Sequence, residues 1–337
     1  MLKKVIFPVF LAVFLFSCGT SNKFDTDVSG ITYKPAVFHW EDLVFAKPLP
    51  NADGVIKKMR EVSPALCSYY LELLHIPEDN DTLLGMAFLD YAANVYMKEA
   101  YTEIKKVFKS TASVEQDLVD GFKRVKYHFP KVAVPANIVF MHTAFGFNVL
   151  ADTQALGISL ELYLGANNPV TQKLPDRDFP DFIKKRMEPE YIAVDVMKTW
   201  AEMYIVPDGK PLTLLDNLIS HGKIMYVLDA LMPHTPDHVK IRYTEEQFSW
   251  CTEYQKDIWK EIIDNKWLYS SDAKVVAQFF NEGPFTPSLP QNSPSRAGVW
   301  VGWQMVRSYM EANSELKLDD LLNEKDNKKI LSYYKPD

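Results

Sequence analysis

The sequence predicts an α+β fold, mostly helical, with one small sheet. Three observations predict it. Apolar residues recur at helical spacing from about 51 to 128 and again beyond 213, behind helix-start signals. A period-two, β-branched pattern is confined to about 132–165. Turn residues, above all Gly165-Ala166-Asn167-Asn168-Pro169, close that block. The chain has 337 residues and no internal repeat, so a single domain over 35–337 is expected.

The first element is not part of the body. Met1 is followed by Lys3 and Lys4, then by an apolar run from Val5 to Phe16. That run is too short to span a bilayer, which takes roughly 20 apolar residues. It has the length and the positive flank of a signal-peptide core. It ends Leu15-Phe16-Ser17-Cys18-Gly19, which resembles the bacterial lipobox, where the Cys thiol receives a diacylglycerol and cleavage falls before it. Residues 1–17 are therefore expected as a signal peptide, Cys18 as the lipidation site and 18–34 as a polar tether. Several acyl chains hold a protein at a membrane where one myristoyl chain would not. Gly19 in place of Asp favours sorting to the outer membrane, facing the periplasm. The alternative is an ordinary secretory signal with a chance cysteine.

Residues 35–50 are extended and punctuated by prolines. In the helical block that follows, Ser113-Val114-Glu115-Gln116 reads as a capping box. Leu118, Phe122 and Val125 then share a face, and the helix stops before Pro130. Val132 to Met141 reads as a strand. So does the alternation of Ile158, Leu160, Leu162 and Leu164 with Ser159, Glu161 and Tyr163. Thr213-Leu214-Leu215-Asp216 opens a helix with Leu215, Leu218, Gly222, Met225 and Asp229 along one stripe. Thr244-Glu245-Glu246-Gln247 caps another, carrying Phe248, Cys251, Ile258 and Ile262, and a third runs from about Arg296 to Glu311.

Composition narrows the function classes. Hydrophobic content of 47% and charge of 24% suit a globular body. Net charge is −7 without a basic cluster, which argues against a nucleic-acid partner. Cys67 and Cys251 sit among apolar residues at helical spacing and read as two unpaired buried thiols, with a periplasmic disulfide as the alternative.

The seven histidines form no His-Glu-x-x-His pair. His234 and His238 are four apart, but Pro233 and Pro236 make that stretch a surface loop. His39, His75 and His128 read as partly buried, hydrogen-bonded residues. No Gly-x-Ser-x-Gly elbow, phosphate loop or Cys-x-x-Cys is present, and no cofactor is expected. Trp300 and Trp303 invite a sugar-stacking reading. However, they share a face with Arg307, and Gly298 and Gly302 are four apart, the pattern of a packed core helix.

Several segments together carry a family resemblance. They are Phe38-His39-Trp40-Glu41-Asp42-Leu43-Val44-Phe45, Tyr127-His128-Phe129-Pro130 with Val134-Pro135, Leu214-Leu215-Asp216-Asn217-Leu218-Ile219 and His221-Gly222-Lys223-Ile224-Met225-Tyr226. Tyr243-Thr244, Trp250-Cys251 and Ile258-Trp259 follow, then Ser293-Pro294-Ser295-Arg296-Ala297-Gly298-Val299-Trp300-Val301-Gly302-Trp303, running on to Arg307-Ser308-Tyr309-Met310. In this order, over nearly the whole mature chain, they resemble the gliding-motility lipoprotein GldB family of Bacteroidota. The resemblance implies a place in the envelope machinery for gliding and associated secretion, with envelope proteins as partners.

That family in turn resembles zincin-type zinc peptidases, which implies a zincin-like domain. In those enzymes a helix bearing His-Glu-x-x-His follows a small sheet, and the next helix gives a third ligand. Here the first helix is expected near 188–206, and its closest window is Val194-Asp195-Val196-Met197-Lys198. Val has no donor atom and a Lys ammonium repels a cation, while a catalytic zinc takes three protein ligands. The resemblance thus implies a peptidase fold without its metal, serving to bind other proteins. The alternative is a hydrolase with a rearranged site, for which Asp195, Glu202 and His221 are the candidate members and must converge.

Overall fold

A computed structural model describes residues 23–48, 51–207 and 209–336. The expected signal peptide, 1–17, and the lipidation site, Cys18, lie outside the described residues.

Four strands form one mixed sheet: β1 (Ala36–His39), β2 (Asn137–Met141), β3 (Val149–Ala151) and β4 (Ala155–Ser159). Their order is β1-β2-β4-β3. The first three run parallel and β3 is antiparallel to β4. β4 is buried throughout and β2 beyond its first residue, as parallel strands covered on both faces are. Alternate side chains feed two cores. Val139, Met141 and Ala155 point to one face, and Ile138, Phe140, Leu156 and Ile158 to the other.

The first face is covered by α1 (Trp40–Val44), α2 (Ala52–Val62), α3 (Pro64–Leu73) and α4 (Asp81–Ala93). α5 (Val95–Val107) follows. The larger core lies on the other face. It gathers α6 (Ala112–His128), α9 (Ile192–Trp200), α10 (Leu214–Leu231) and α15 (Ala297–Ala312). Around them run α7 (Pro169–Lys173), α8 (Asp181–Lys184), α11 (Asp237–Lys240), α12 (Glu245–Glu253), α13 (Gln255–Asp264), α14 (Ala273–Phe280), α16 (Leu318–Asn323) and α17 (Asn327–Leu331).

The capping boxes at Thr213/Asp216 and Thr244/Gln247 form as expected, each with reciprocal side-chain bonds. The central helix pair, α10 and α15, touches backbone to backbone. A methyl group on Gly302 would collide with the Leu218 carbonyl, and one on Gly222 with the Gly302 carbonyl. Trp300 is 2% exposed and Trp303 is 0% exposed, which removes the support for a sugar platform. Cys67 and Cys251 are free and buried.

Several expectations differ from the structure, among them the strand expected from Val132, which begins at Asn137. Leu160–Tyr163 is a 3-10 turn, because the sheet ends at Ser159 and residues 160–164 are all buried. Alternation inside a wholly buried stretch does not mark a half-buried strand. The 35–50 segment contributes β1, paired to β2 from Ala36↔Asn137 to His39↔Phe140. α6 starts at Ala112 with Thr111 before it, and the Thr111 hydroxyl donates to Glu115 at 2.6 Å, so Ser113 lies inside the first turn and does not cap. The 244–262 helix breaks at Tyr254 into α12 and α13.

The stretch expected as a tether is seated on the body from Phe24 onward. Phe24, Val28 and Tyr33 are buried. Arg124 on α6 donates to the carbonyls of Phe24 (3.0 Å) and Thr26 (3.2 Å), and the Tyr33 hydroxyl donates to the Pro135 carbonyl (2.9 Å).

Candidate functional site

α9 runs between the sheet and α10, and its polar residue Asp195 is buried. Tyr163, at the end of the 3-10 turn after β4, donates its hydroxyl to Asp195 Oδ2 at 2.7 Å. Arg242 approaches from the other side, Nη1 to Oδ2 at 3.0 Å. Arg242 follows α11 in the left-handed region, at φ 57°. Its Nη2 donates to the Arg186 carbonyl at 2.6 Å, and its guanidinium lies over the Tyr191 ring.

Two more arginines complete the cluster. Arg296 precedes α15, also left-handed at φ 61°. The buried Thr286 holds this turn, its hydroxyl donating to the Pro294 carbonyl (2.8 Å) and accepting from the Ala297 amide (3.2 Å). Arg296 donates to the Ile241 carbonyl and lies over Tyr243. Arg186 is buried. It pairs with Glu282 through Nη1 and donates to Ser295 Oγ at 3.0 Å through Nη2. Glu282 also faces Arg296 Nε, at 3.2 Å.

Non-glycine residues in the left-handed region cost about 1–3 kcal/mol each and persist where the surroundings over-determine them. Here the guanidinium bonds and the Thr286 clamp do so. Burial pushes Arg186 down to about 9, helped by repulsion from Arg296, and burial lowers Arg296 as well. Arg186 and Arg242 open onto a pocket of about 210 Å³, walled by Asp181, Phe182, Lys185, Tyr191, Gly283 and Pro284 among others.

The other two candidates are engaged elsewhere. Glu202 pairs with Lys198 at the surface, at 2.8 Å. The His221 ring stacks on Phe280 at 4.4 Å, with Nδ1 2.9 Å from the Asn217 carbonyl, and burial lowers its pKa. Among the described residues no hydrogen bond or ion pair joins any two of Asp195, Glu202 and His221. The zincin window does not fit zinc. Val194 offers no ligand, Lys198 is bound to Glu202, and both neighbours of Asp195 compete with a metal for its oxygens.

A second cluster, His39, Glu41 and Asp42, has ligand atoms within 4.8 Å of one another. Lys105 already sits there, 2.9 Å from Asp42 and 4.0 Å from Glu41, so an ammonium supplies the positive charge.

The reading of the sequence singled out Asp195 and the Arg296 segment but missed Arg186, Arg242 and Glu282. No local pattern marks them, since they come from segments far apart in the chain. The family model described as gliding motility protein GldB matches residues 21–336, and the chain belongs to that family. Comparisons with curated proteins and with solved structures give no match.

Proposed function

We propose that this member of the gliding motility protein GldB family is a cell-envelope lipoprotein, anchored through Cys18, that works by binding a partner protein and not by metal-dependent hydrolysis. The observation that carries the reading is the state of Asp195. The one carboxylate left at the zincin position is spent on Tyr163 and Arg242, beside a cluster of guanidinium groups that repels a cation. Family membership supports the envelope and gliding-motility association. Gly19 supports the outer membrane, facing the periplasm. No helix among the described residues is long and apolar enough to cross a membrane; in this reading the attachment is the N-terminal lipid.

The test has two arms. Elemental analysis of the purified body should find no stoichiometric zinc, and incubation with unfolded protein substrates should give no chelator-sensitive cleavage. Bound zinc together with such cleavage overturns the binding reading. Metabolic labelling with a radioactive fatty acid should mark the full-length protein and not Cys18→Ala.

A further inference from the structure

We propose that the pocket beside Arg186 and Arg242 binds the terminal carboxylate of a peptide chain, with the last side chain against Phe182, Tyr191 and Pro284. This rests on the partner-binding reading above and gives it a chemistry.

The site is built before any ligand arrives. Arg186 is buried, the Arg296 side chain is 12% exposed, and Arg242 and Arg296 are held in the left-handed region by bonds to the backbone of neighbouring segments. The cluster is short of negative charge. The pocket wall itself holds three cations, Lys185, Arg186 and Arg242, against one carboxylate, Asp181, with Glu190 acting on Tyr191 from outside the wall. Glu188 is close in sequence but turns away, accepting the Ala166 amide at 2.8 Å. Burial is the first cause of the depressed Arg186 pKa and repulsion from Arg296 the second, and an added anion would relieve the second.

Donor capacity is also left over. Arg242 Nε–H has no partner but is itself buried, so the donors within a ligand's reach are the exposed Lys185 ammonium and the guanidinium edges of Arg186 and Arg242 that line the pocket. Guanidinium forks match a planar carboxylate in two parallel bonds. At about 210 Å³ the pocket is smaller than the sites of drug-sized ligands, roughly 300–1,000 Å³, and suits a single residue. Its walls are aromatic ring and proline as well as charge, which favours a carboxylate carried on hydrocarbon over free phosphate. Thr244 Oγ1 and Gln247 Oε1 at the rim accept each other's backbone N–H in a capping box, which leaves the Gln247 amide nitrogen as a further donor there.

Calorimetry with three probes tests the assignment: an N-acetylated tripeptide ending in leucine, its C-terminal amide, and inorganic phosphate. The free acid should bind saturably and the amide at least about tenfold more weakly, one lost charged contact. Arg242→Lys should weaken the acid. Lys185 is exposed and lines the pocket, so Lys185→Glu should fold normally and weaken the acid about tenfold. Equal binding of acid and amide, binding of phosphate alone, no binding at all, or unchanged affinity in Lys185→Glu each overturn the proposal. Mass spectrometry of the recovered peptide separates the two readings. A cleaved peptide sinks the binding function, while an intact and unbound one sinks only the carboxylate assignment.

Discussion

Arg307 meets Asp229 side-on, Nε to Oδ2 at 2.8 Å and Nη2 to Oδ1 at 2.7 Å. Trp303 Nε1 donates to the same Oδ2 at 2.9 Å, and Lys240 to Oδ1 at 2.9 Å. The pair therefore ties α15 to α10 and, through Lys240 and Asp237, to α11. Removing one member of a fully buried pair strands the other, at a cost of about 3–5 kcal/mol, and here Asp229 is buried while the Arg307 side chain is 28% exposed. Arg307→Met should lose about 3 kcal/mol in urea unfolding, the low end, because Lys240 still neutralises Asp229. The double variant with Asp229→Leu should lose less than the sum of the two single losses. Strict additivity would show that the network carries no coupling.

Gly302→Ala should reverse the usual sign. Alanine normally improves a helix interior by about 1 kcal/mol over glycine. Here the added methyl meets the Leu218 carbonyl and forces α10 away from α15. A net loss of about 1–3 kcal/mol is expected from overpacking. A variant at least as stable as the parent would mean that the two helices separate without cost.

Acid should loosen the seat of residues 24–33. His128 is half-buried against Phe24, with its ring edge-on at 5.9 Å and Nε2 unpartnered. Burial pushes its pKa down to about 4 from an ordinary 6.5, with Arg124 adding repulsion. The folded state thus prefers the neutral ring. Its contribution is complete above the unfolded pKa of about 6.5 and is lost as pH falls through that value toward 4. Allowing for solvent screening, the effect is on the order of 2 kcal/mol. His128→Phe should remove this part of the acid sensitivity while leaving that of the carboxylates. Limited proteolysis between Lys23 and Tyr33 across pH 7 to 4 reads it, and identical profiles for parent and variant would refute it.

The thiols at Cys67 and Cys251 should stay silent in the folded protein. Burial raises Cys67 to about 11 and Cys251 further still. An aromatic disulfide reagent at pH 8 should label neither until denaturant is added, and then both. Rapid labelling without denaturant would contradict the packing around α3 and α12.

What the sequence discloses follows the range of the interaction. The Thr213/Asp216 and Thr244/Gln247 caps were legible because each closes within four residues. The close approach at Gly302 was legible as a small residue on an otherwise bulky apolar face. β1 was not, because its partner strand lies about a hundred positions away and nothing local distinguishes a paired extended segment from a free one. The turn at Leu160–Tyr163 was misread because both sides of it are buried, which erases the meaning of alternation. The arginine cluster was invisible for a related reason. Arg186, Arg242 and Arg296 meet only after α9, α11 and α15 are packed, and the left-handed backbone that aims two of them leaves no trace in residue type.

The seating of Phe24 also changes the geometry of attachment. If the lipid is on Cys18, six Cα–Cα steps separate it from Phe24, a point fixed on the body, a reach of about 20 Å even fully extended. A leash of the full 18–34 stretch would let the domain tumble and sample a deep shell of periplasm. The shortened one, under that proposed anchoring, would turn the α6 side toward the bilayer and restrict the domain to a thin layer beside it. A partner confined to the same layer then meets it by search in two dimensions, always in nearly the same orientation.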